Sequence, residues 1–147
     1  MSTTNNTSIT IETMVNAPIE EVWCCWTEPE HIKKWNNASE DWHTPKAENN
    51  LQVGGKFLSR MEAKDGSMGF DFIGVYTDVQ INKHIAYTLE DDRKVEIFFT
   101  EDGNQTKVVE TFETENMNST ELQKAGWQAI LDRFKSYVEN LIAADSQ

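Results

Sequence analysis

A single acidic residue, Glu110, interrupts the apolar face of a predicted strand near the end of the chain. Residues 106–113 alternate with a period of two, so Glu110 shares one face with Val108 and Phe112. A carboxylate in apolar surroundings is costly and requires either a raised pKa or a cationic partner. We predict Arg133 as that partner, because it interrupts the apolar face of a later helix. Such a group could anchor a polar ligand atom or act as a general acid or base.

Two structural interpretations of Glu110 stay open beside these functional ones. A bulge in the strand could turn its side chain to solvent, or Glu110 and Arg133 could form an ion pair that serves only the fold. Arg60 and Lys107 are weaker candidates for the cationic partner, because the strand period directs both side chains outward.

Residues 36–50 show no clean period and are predicted to form a loop that carries Trp42 and His43. His43 is the histidine best placed to line a cavity mouth, whereas His31 and His84 occupy polar turns and are expected at the surface. Trp42 could plug the edge of the core or contact a ligand. No two histidines have the spacing of metal ligands. We therefore predict neither a metal site nor a catalytic residue.

The composition excludes several classes of protein. A net charge of −12 disfavours binding to nucleic acids or anionic membranes, because both require clustered Lys and Arg. Cys24 and Cys25 are adjacent and are the only cysteines, which excludes a disulfide framework and a cysteine-based zinc site. No phosphate-binding loop, nucleophile elbow, signal peptide or transmembrane segment is recognisable. We therefore predict a cytoplasmic protein without a cofactor.

The longest helical pattern occupies residues 119–143. Its apolar residues recur at intervals of three and four, so they form one broad face. Asn118 is predicted to cap this helix, with Glu121 three residues later, as a capping box requires. Gly126 inside the helix costs roughly 1 kcal/mol relative to Ala. That cost favours either a packing reason for the glycine or space left for a ligand.

The elements before this helix predict an α+β fold. One strand, residues 8–15, is followed by two short Trp-rich helices and then by alternating segments separated by turns. We predict a curved antiparallel sheet of about six to seven strands wrapped around the C-terminal helix. Gly74, inside the longest strand, indicates a bend or the close approach of another group. The whole chain, 1–147, is expected to form one domain, with residues 1–7 and 144–147 disordered.

Several segments together resemble one known family. They are NAPIEEVWCCWTEPEHIKKWNN (16–37), VGGKF (53–57), DGSMGFDFIGVYTDV (65–79), HIAYT (84–88) and GWQAILDRF (126–134). In this order and spacing they resemble the activator of heat-shock-protein-90 ATPase homologue (AHSA) family, a START-like group of the SRPBCC superfamily. The resemblance implies a helix-grip fold with a cavity between the sheet and the C-terminal helix. It says less about function, because proteins of one fold can have many functions.

We predict that the chain binds a small, mostly apolar molecule between this helix and the sheet. Aromatic side chains would form an apolar wall and Glu110 its polar interruption. The same aromatic residues would equally make an ordinary core. The predicted ligand-binding residues are Trp35, Trp42, His43, Phe57, Met61, Phe72, Tyr87, Glu110, Gly126, Trp127, Ile130, Arg133 and Phe134.

Two other functions are compatible with the sequence. The resemblance implies a co-chaperone-like module that works through its outer surface. Members of the named family carry an additional N-terminal domain, for which this chain has no room, so we do not expect direct activation of a chaperone. The third function is an enzyme of the polyketide cyclase or dehydratase kind that uses Glu110 and His43. Monomer and homodimer both stay open, and exposed Ile73 and Val75 on the outer sheet face would favour the dimer.

Overall fold

The computed structural model describes residues 7–37, 39–116 and 118–145, and these residues form one curved antiparallel sheet of seven strands with three helices. The α+β fold predicted from the sequence is therefore confirmed. In chain order the elements are β1 (Ser8–Val15), α1 (Ile19–Thr27), α2 (Pro29–Trp35), β2 (Trp42–Asn49), β3 (Lys56–Ala63), β4 (Gly69–Gln80), β5 (His84–Leu89), β6 (Lys94–Asp102), β7 (Gln105–Glu113) and α3 (Thr120–Asp145).

The strands follow the order β1-β7-β6-β5-β4-β3-β2 across the sheet. Strands β2 to β7 therefore form a continuous meander, and β1 pairs with the last strand, with Ile11 opposite Glu110. The first two strands of the chain thus lie at opposite edges of the sheet. Helices α1 and α2 connect those two edges, which places them at the side of the sheet where α3 also packs.

The prediction of a loop over residues 36–50 is wrong for Trp42–Asn49, which form strand β2. Among the described strands it pairs only with β3, and its register shifts between His43 and Lys46, where Pro45 lies. Proline cannot donate a hydrogen bond to a ladder, so within sheets it is confined to edge strands and bulges. The shift interrupts the alternation of inward and outward side chains. Because strands are recognised in a sequence by this alternation, β2 was not predicted.

Helix α3 packs through the apolar face that its residue spacing predicts. Leu131, Phe134 and Val138 are fully buried at intervals of three and four. The ring centroid of Phe134 lies 4.8 Å from those of both Trp26 in α1 and Trp35 in α2. These edge-on contacts, a favoured geometry for aromatic pairs, join the three helices to one another.

The start of α3 differs from the prediction by one residue. Ser119, and not Asn118, caps the helix, because the Leu122 N–H donates to the Ser119 Oγ at 3.1 Å. The Asn118 side-chain amide instead donates to the Glu115 carboxylate at 2.6 Å. A hydroxyl directly before the first helical residue reaches the amide three positions later, which makes Ser119 the better-placed cap.

The predicted disorder of residues 1–7 and 144–147 falls mostly outside the residues that the structure describes. Thr7 is described, and its carbonyl accepts a hydrogen bond from the Thr114 N–H at 2.8 Å. This bond extends the contact between the first and last strands by one residue beyond the ladder. At the other end, helix α3 continues to Asp145.

Gly74 in β4 marks a close approach, as a glycine within a strand predicts. A Cβ atom at this position would lie 2.5 Å from the ring of Phe57 and 3.2 Å from the carbonyl oxygen of Thr88. The missing side chain therefore lets the Phe57 ring lie directly against β4. Phe57 is thereby fixed on the inner face of the sheet, where the cavity described below is found.

Candidate ligand-binding site

A cavity of about 350 Å³ lies between the inner face of the sheet and helices α2 and α3. Its wall includes Glu48 in β2 and Phe70 in β4, and both of these residues are exposed. The cavity therefore reaches the surface on the β2 side of the sheet. Its deeper wall includes the buried residues Tyr87 in β5 and Glu110 in β7.

Aromatic rings form much of the apolar wall. Phe57 lies among them, with its ring centroid 4.7 Å from that of Tyr87, 5.4 Å from that of Tyr76 and 5.7 Å from that of Phe72. On the helix side, the ring centroid of Trp127 lies 6.2 Å from that of Phe72 in an edge-on contact. Tilted and edge-on geometries are favoured for aromatic pairs, so the rings support one another around the cavity.

Trp127 also contacts the strand that carries Glu110. Its ring stacks on Phe112 in β7, with ring centroids 4.0 Å apart and planes 6° apart. Phe112 is fully buried and lies two residues from Glu110, on the same face of the strand. The stack therefore holds the helix side of the cavity at a fixed position relative to the carboxyl group.

Glu110 places a carboxyl group in this wall. The residue is 5% exposed, and the residues opposite it in the sheet are the buried Ile11 and Ile97. None of the described residues donates a hydrogen bond to its carboxyl group or forms an ion pair with it. Within the described part of the chain, every fully enclosed side-chain oxygen has a partner. The unpaired carboxyl oxygens are therefore reached from the cavity that Glu110 lines.

Burial raises the pKa of Glu110 from 4.5 to about 8. Removal of the carboxylate from water disfavours the charged form and accounts for this change. At neutral pH the group is therefore mostly a neutral carboxylic acid, which can donate one hydrogen bond and accept others. Glu110 is buried on the face it shares with Val108 and Phe112, so the alternative of a bulge that turns it to solvent is excluded.

The prediction that Arg133 pairs with Glu110 is wrong. The Nη2 atom of Arg133 lies 2.9 Å from a carboxylate oxygen of Glu40, and this hydrogen bond lowers the pKa of Glu40. Arg133 is partly exposed and lies at the border of the apolar face of α3, three positions after Ile130 in the cavity wall. Its long side chain therefore extends away from the cavity and reaches the segment before β2.

Tyr87 in β5 shares the electrostatic environment of Glu110. Burial is the main reason that the pKa of the Tyr87 hydroxyl lies well above its usual range, and the nearby Glu110 and Tyr76 raise this pKa further. Arg93 lowers it. Arg93 also lines the cavity, and its Nε donates to the Asp91 carboxylate at 2.7 Å. The Tyr87 hydroxyl therefore stays neutral and available as a hydrogen-bonding group at any ordinary pH.

Eight of the thirteen predicted ligand-binding residues line the cavity, and all eight lie on strands or helices whose period was recognised: Trp35, Phe57, Met61, Phe72, Tyr87, Glu110, Trp127 and Ile130. The other five lie outside the wall: Trp42, His43, Gly126, Arg133 and Phe134. Phe134 belongs to the fully buried core, where it packs between Trp26 and Trp35.

Trp42 and His43 lie on the edge strand β2 and not in the cavity wall. The ring centroid of Trp42 is 6.0 Å from that of Phe70, which does line the cavity. His43 is exposed, with its Nε2 atom 3.8 Å from the carboxylate of Glu62. Glu62 lies between the buried Met61 and Ala63, so the strand period directs Glu62 and its histidine neighbour outward.

The two histidines predicted to lie at the surface are both partly buried. The Nδ1 atom of His31 lies 2.5 Å from the Tyr137 hydroxyl. His84 lies between two carboxylates, with ring nitrogens 2.6 Å from Asp78 and 2.9 Å from Glu96. Neither histidine lines the cavity.

Gly126 is not required for close packing, and it does not line the described cavity. A Cβ atom built at this position has no neighbouring atom within 4 Å outside its own stretch of helix. Replacing Gly126 with Ala is therefore expected to raise the free energy of unfolding by about 0.5–1 kcal/mol, because Ala favours the helix and restricts the unfolded chain. Urea denaturation of both proteins measures the change. A loss of stability would show that the added methyl group meets neighbouring atoms and that this space is not open.

Several cavity residues were not predicted from the sequence. Ser59 in β3 and Tyr76 in β4 share the inward face with Phe57 and Phe72, so the period of two was sufficient to place both. Arg93 lies in the connection between β5 and β6. No periodic pattern predicts a side-chain direction in such a connection, so the sequence carried no signal for this residue.

Two kinds of feature are absent from the part of the chain that the structure describes. No group of three or more His, Cys, Asp and Glu residues in it is arranged to hold a metal ion. None of its helices is both long and apolar enough to cross a membrane.

A curved antiparallel sheet that holds a long C-terminal helix, with an apolar cavity between them, defines the helix-grip class of proteins. The family model for the activator of Hsp90 ATPase homolog 1-like proteins matches residues 16–139. The chain belongs to this family, and the resemblance noted in its sequence is thereby confirmed.

Solved structures agree with this assignment. The AHSA1-like protein from Aeromonas hydrophila is 44% identical, with a TM-score of 0.87 over 92% of this chain and 94% of that chain. A protein from Cytophaga hutchinsonii is 54% identical, with a TM-score of 0.79 over the same shares of both chains. A protein from Nitrosomonas europaea, 18% identical with a TM-score of 0.78 over 92% and 96% of the two chains, shows the fold alone. No protein of curated function matches the chain.

Proposed function

We propose that the protein binds a small, mostly apolar molecule in the cavity between α3 and the sheet. The observation that carries the proposal is the buried carboxyl group of Glu110, which has no partner among the described residues, in a largely aromatic wall. Sites for small molecules combine such an apolar wall with a few placed polar groups. The cavity volume of about 350 Å³ also lies in the range of such sites, roughly 300–1,000 Å³.

A cavity that results only from loose packing does not account for Glu110. A buried polar group without a hydrogen-bond partner costs about 1–3 kcal/mol, more when it is charged. An aliphatic side chain at this strand position would avoid that cost and would match the neighbouring Ile11 and Ile97. The chain instead keeps unfilled volume and an unsatisfied polar group in one place, which is a pattern typical of functional sites.

The experiment is a ligand screen with a blocked-cavity control. A panel of fatty acids, fatty alcohols, alkyl amines and small aromatic molecules is tested by thermal unfolding, and bound members are expected to raise the melting temperature by several degrees, because they bind only the folded state. Ile130 lines the cavity from α3, whereas Leu122 on the same helix is exposed. Ile130→Trp should abolish the stabilisation, and Leu122→Trp should leave it intact. A screen in which no member stabilises the wild-type protein would contradict the proposal.

A second candidate function follows from the family, whose description names activation of the Hsp90 ATPase. Such a role would use the outer surface and would not depend on the cavity. The rate of ATP hydrolysis by purified Hsp90, measured with and without this protein, tests it directly. Acceleration that survives Ile130→Trp would support the surface role, and an unchanged rate would remove it.

The structure does not favour an enzyme of the cyclase or dehydratase kind. It required Glu110 and His43 to act together on one substrate. Glu110 lines the cavity, whereas His43 is exposed on the edge strand and contacts Glu62. A general acid and a general base must both reach the reacting atoms, and this arrangement separates them.

A further inference from the structure

The charged residues of the cavity wall are mostly acidic. Glu48, Glu110 and Glu115 line the cavity, and Arg93 is the one basic residue of the described wall. The guanidinium of Arg93 is already paired with the Asp91 carboxylate, at 2.7 Å from its Nε. The wall therefore has little positive charge to offer an anionic ligand, and it has carboxyl groups to offer a cationic one.

Among these acidic residues, Glu110 is the one that the fold leaves unsatisfied deep in the cavity. The carboxylate of Glu115 accepts hydrogen bonds from the backbone and side chain of Asn118, at 2.9 and 2.6 Å. Glu48 is exposed to water and forms an ion pair with Lys46 at 3.1 Å. Glu110 is 5% exposed and has no donor among the described residues, so its hydrogen-bond partner must come from the cavity, as water or as a bound molecule.

Aromatic rings surround the approach to this carboxyl group. Phe57, Tyr87 and Trp127 line the same cavity, and the face of an aromatic ring attracts a cation through its quadrupole. We infer that the cavity selects a small organic amine, with an apolar aromatic or alkyl body held by the rings and an ammonium group paired with Glu110. This inference rests on the proposed function and names the chemical class of its ligand.

An organic cation fits these observations better than a neutral or anionic molecule of the same size. A neutral alcohol could also donate to Glu110, but it would gain nothing from the acidic wall or the ring faces. An anion would meet Glu48, Glu110 and Glu115 and would approach a protein with a net charge of −12. The aromatic wall supplies the apolar contact, and the carboxylate replaces the water that the ammonium group loses on entry.

Binding of an ammonium group at Glu110 also predicts a dependence on pH. Burial holds the pKa of Glu110 at about 8, and the ammonium group pairs with the ionised form, so binding releases a proton. Apparent affinity follows the ionised fraction and is expected to rise about 50-fold between about pH 6 and about pH 8. The other titratable groups of the described wall are Glu48 from β2, Tyr76 from β4, Tyr87 from β5, Arg93 from the β5–β6 connection and Glu115 before α3.

Three probes of matched size test the inference by calorimetry: phenylbutylamine, phenylbutanol and phenylbutyrate. At about pH 8 the amine is expected to bind at least tenfold more tightly than the alcohol, which is roughly the effect of one favourable charged contact. The butyrate is expected to bind weakest. Glu110→Gln should remove the advantage of the amine and its pH dependence. Glu101→Gln, which removes the same charge from an exposed position on β6, should keep both.

The outcomes separate this inference from the proposed function. If the alcohol binds as tightly as the amine, the cavity is a ligand site and the inference of an amine is wrong. If Glu110→Gln keeps the preference for the amine, the ammonium group is held elsewhere and the inference is also overturned. If none of the three probes binds the wild-type protein, the inference fails, and the wider ligand screen decides the proposed function.

Discussion

Replacing Glu110 with Gln is expected to stabilise the protein at about pH 9 and to leave its stability nearly unchanged at about pH 4. Glu110 titrates at about 8 in the folded protein and near 4.5 when exposed. Below 4.5 the carboxyl group is protonated in both states, so its burial carries no penalty for charge. Between 4.5 and 8 the unfolded state releases its proton while the folded state keeps it, and the folded state is progressively destabilised.

The size of this effect follows from the two pKa values. The interval from 4.5 to about 8, at about 1.4 kcal/mol per pKa unit, corresponds to a loss on the order of 4–5 kcal/mol above pH 8. Gln has nearly the same shape and cannot ionise, so the variant avoids this loss.

Urea denaturation at a series of pH values measures the difference between the two proteins. The comparison with Glu101→Gln, an exposed carboxylate in the neighbouring strand, removes the effect of net charge. Stability curves of wild type and Glu110→Gln that run parallel from about pH 4 to about pH 9 would show that Glu110 is hydrated in the folded protein.

Replacing Phe134 with Ala is expected to lower the free energy of unfolding by about 3–5 kcal/mol. Phe134 is fully buried, and its ring contacts Trp26 and Trp35, so the substitution removes the side chain that joins the three helices. Leu122→Ala on the same helix provides the control. Leu122 is 61% exposed, so its loss is expected to change stability by no more than about 0.5 kcal/mol.

Urea denaturation of these two variants at one pH distinguishes packing from helix propensity. Both substitutions place Ala in α3, and Ala has a higher helix propensity than either Phe or Leu. A large loss for Phe134→Ala alone therefore reports the contact between the helices. Similar small changes in both variants would mean that the core closes around the missing ring, and the packing described for α3 would be wrong.

The sequence predicted the elements with an unbroken period and the residues that this period places inward. Strand β7 alternates from end to end, so the burial of Glu110 followed from its position between Val108 and Phe112. Strand β2 was missed because Pro45 and the register shift beside it interrupt the alternation. A period describes the direction of a side chain only where the backbone stays regular.

The partner of Arg133 could not be predicted for a different reason. The helical period places this residue at the border of the apolar face, from which a long side chain can extend either way. Its actual partner, Glu40, belongs to an irregular segment between α2 and β2. Arg93 presents the same difficulty, because its place in the cavity wall depends on how a turn folds over the curved sheet. Contacts of this kind are set by tertiary structure and not by spacing along the chain.

The shifted register of β2 has a consequence for the entrance of the cavity. A regular edge strand presents free amide and carbonyl groups, and another polypeptide can extend the sheet by pairing with them. Pro45 removes one donor from this edge, and the exposed Lys46 and Glu48 add charge beside it. The edge at the entrance is therefore poorly suited to capture a peptide or to nucleate aggregation through strand addition. The small molecules proposed as ligands would enter past this edge, whereas an extended chain would find few backbone groups there to pair with.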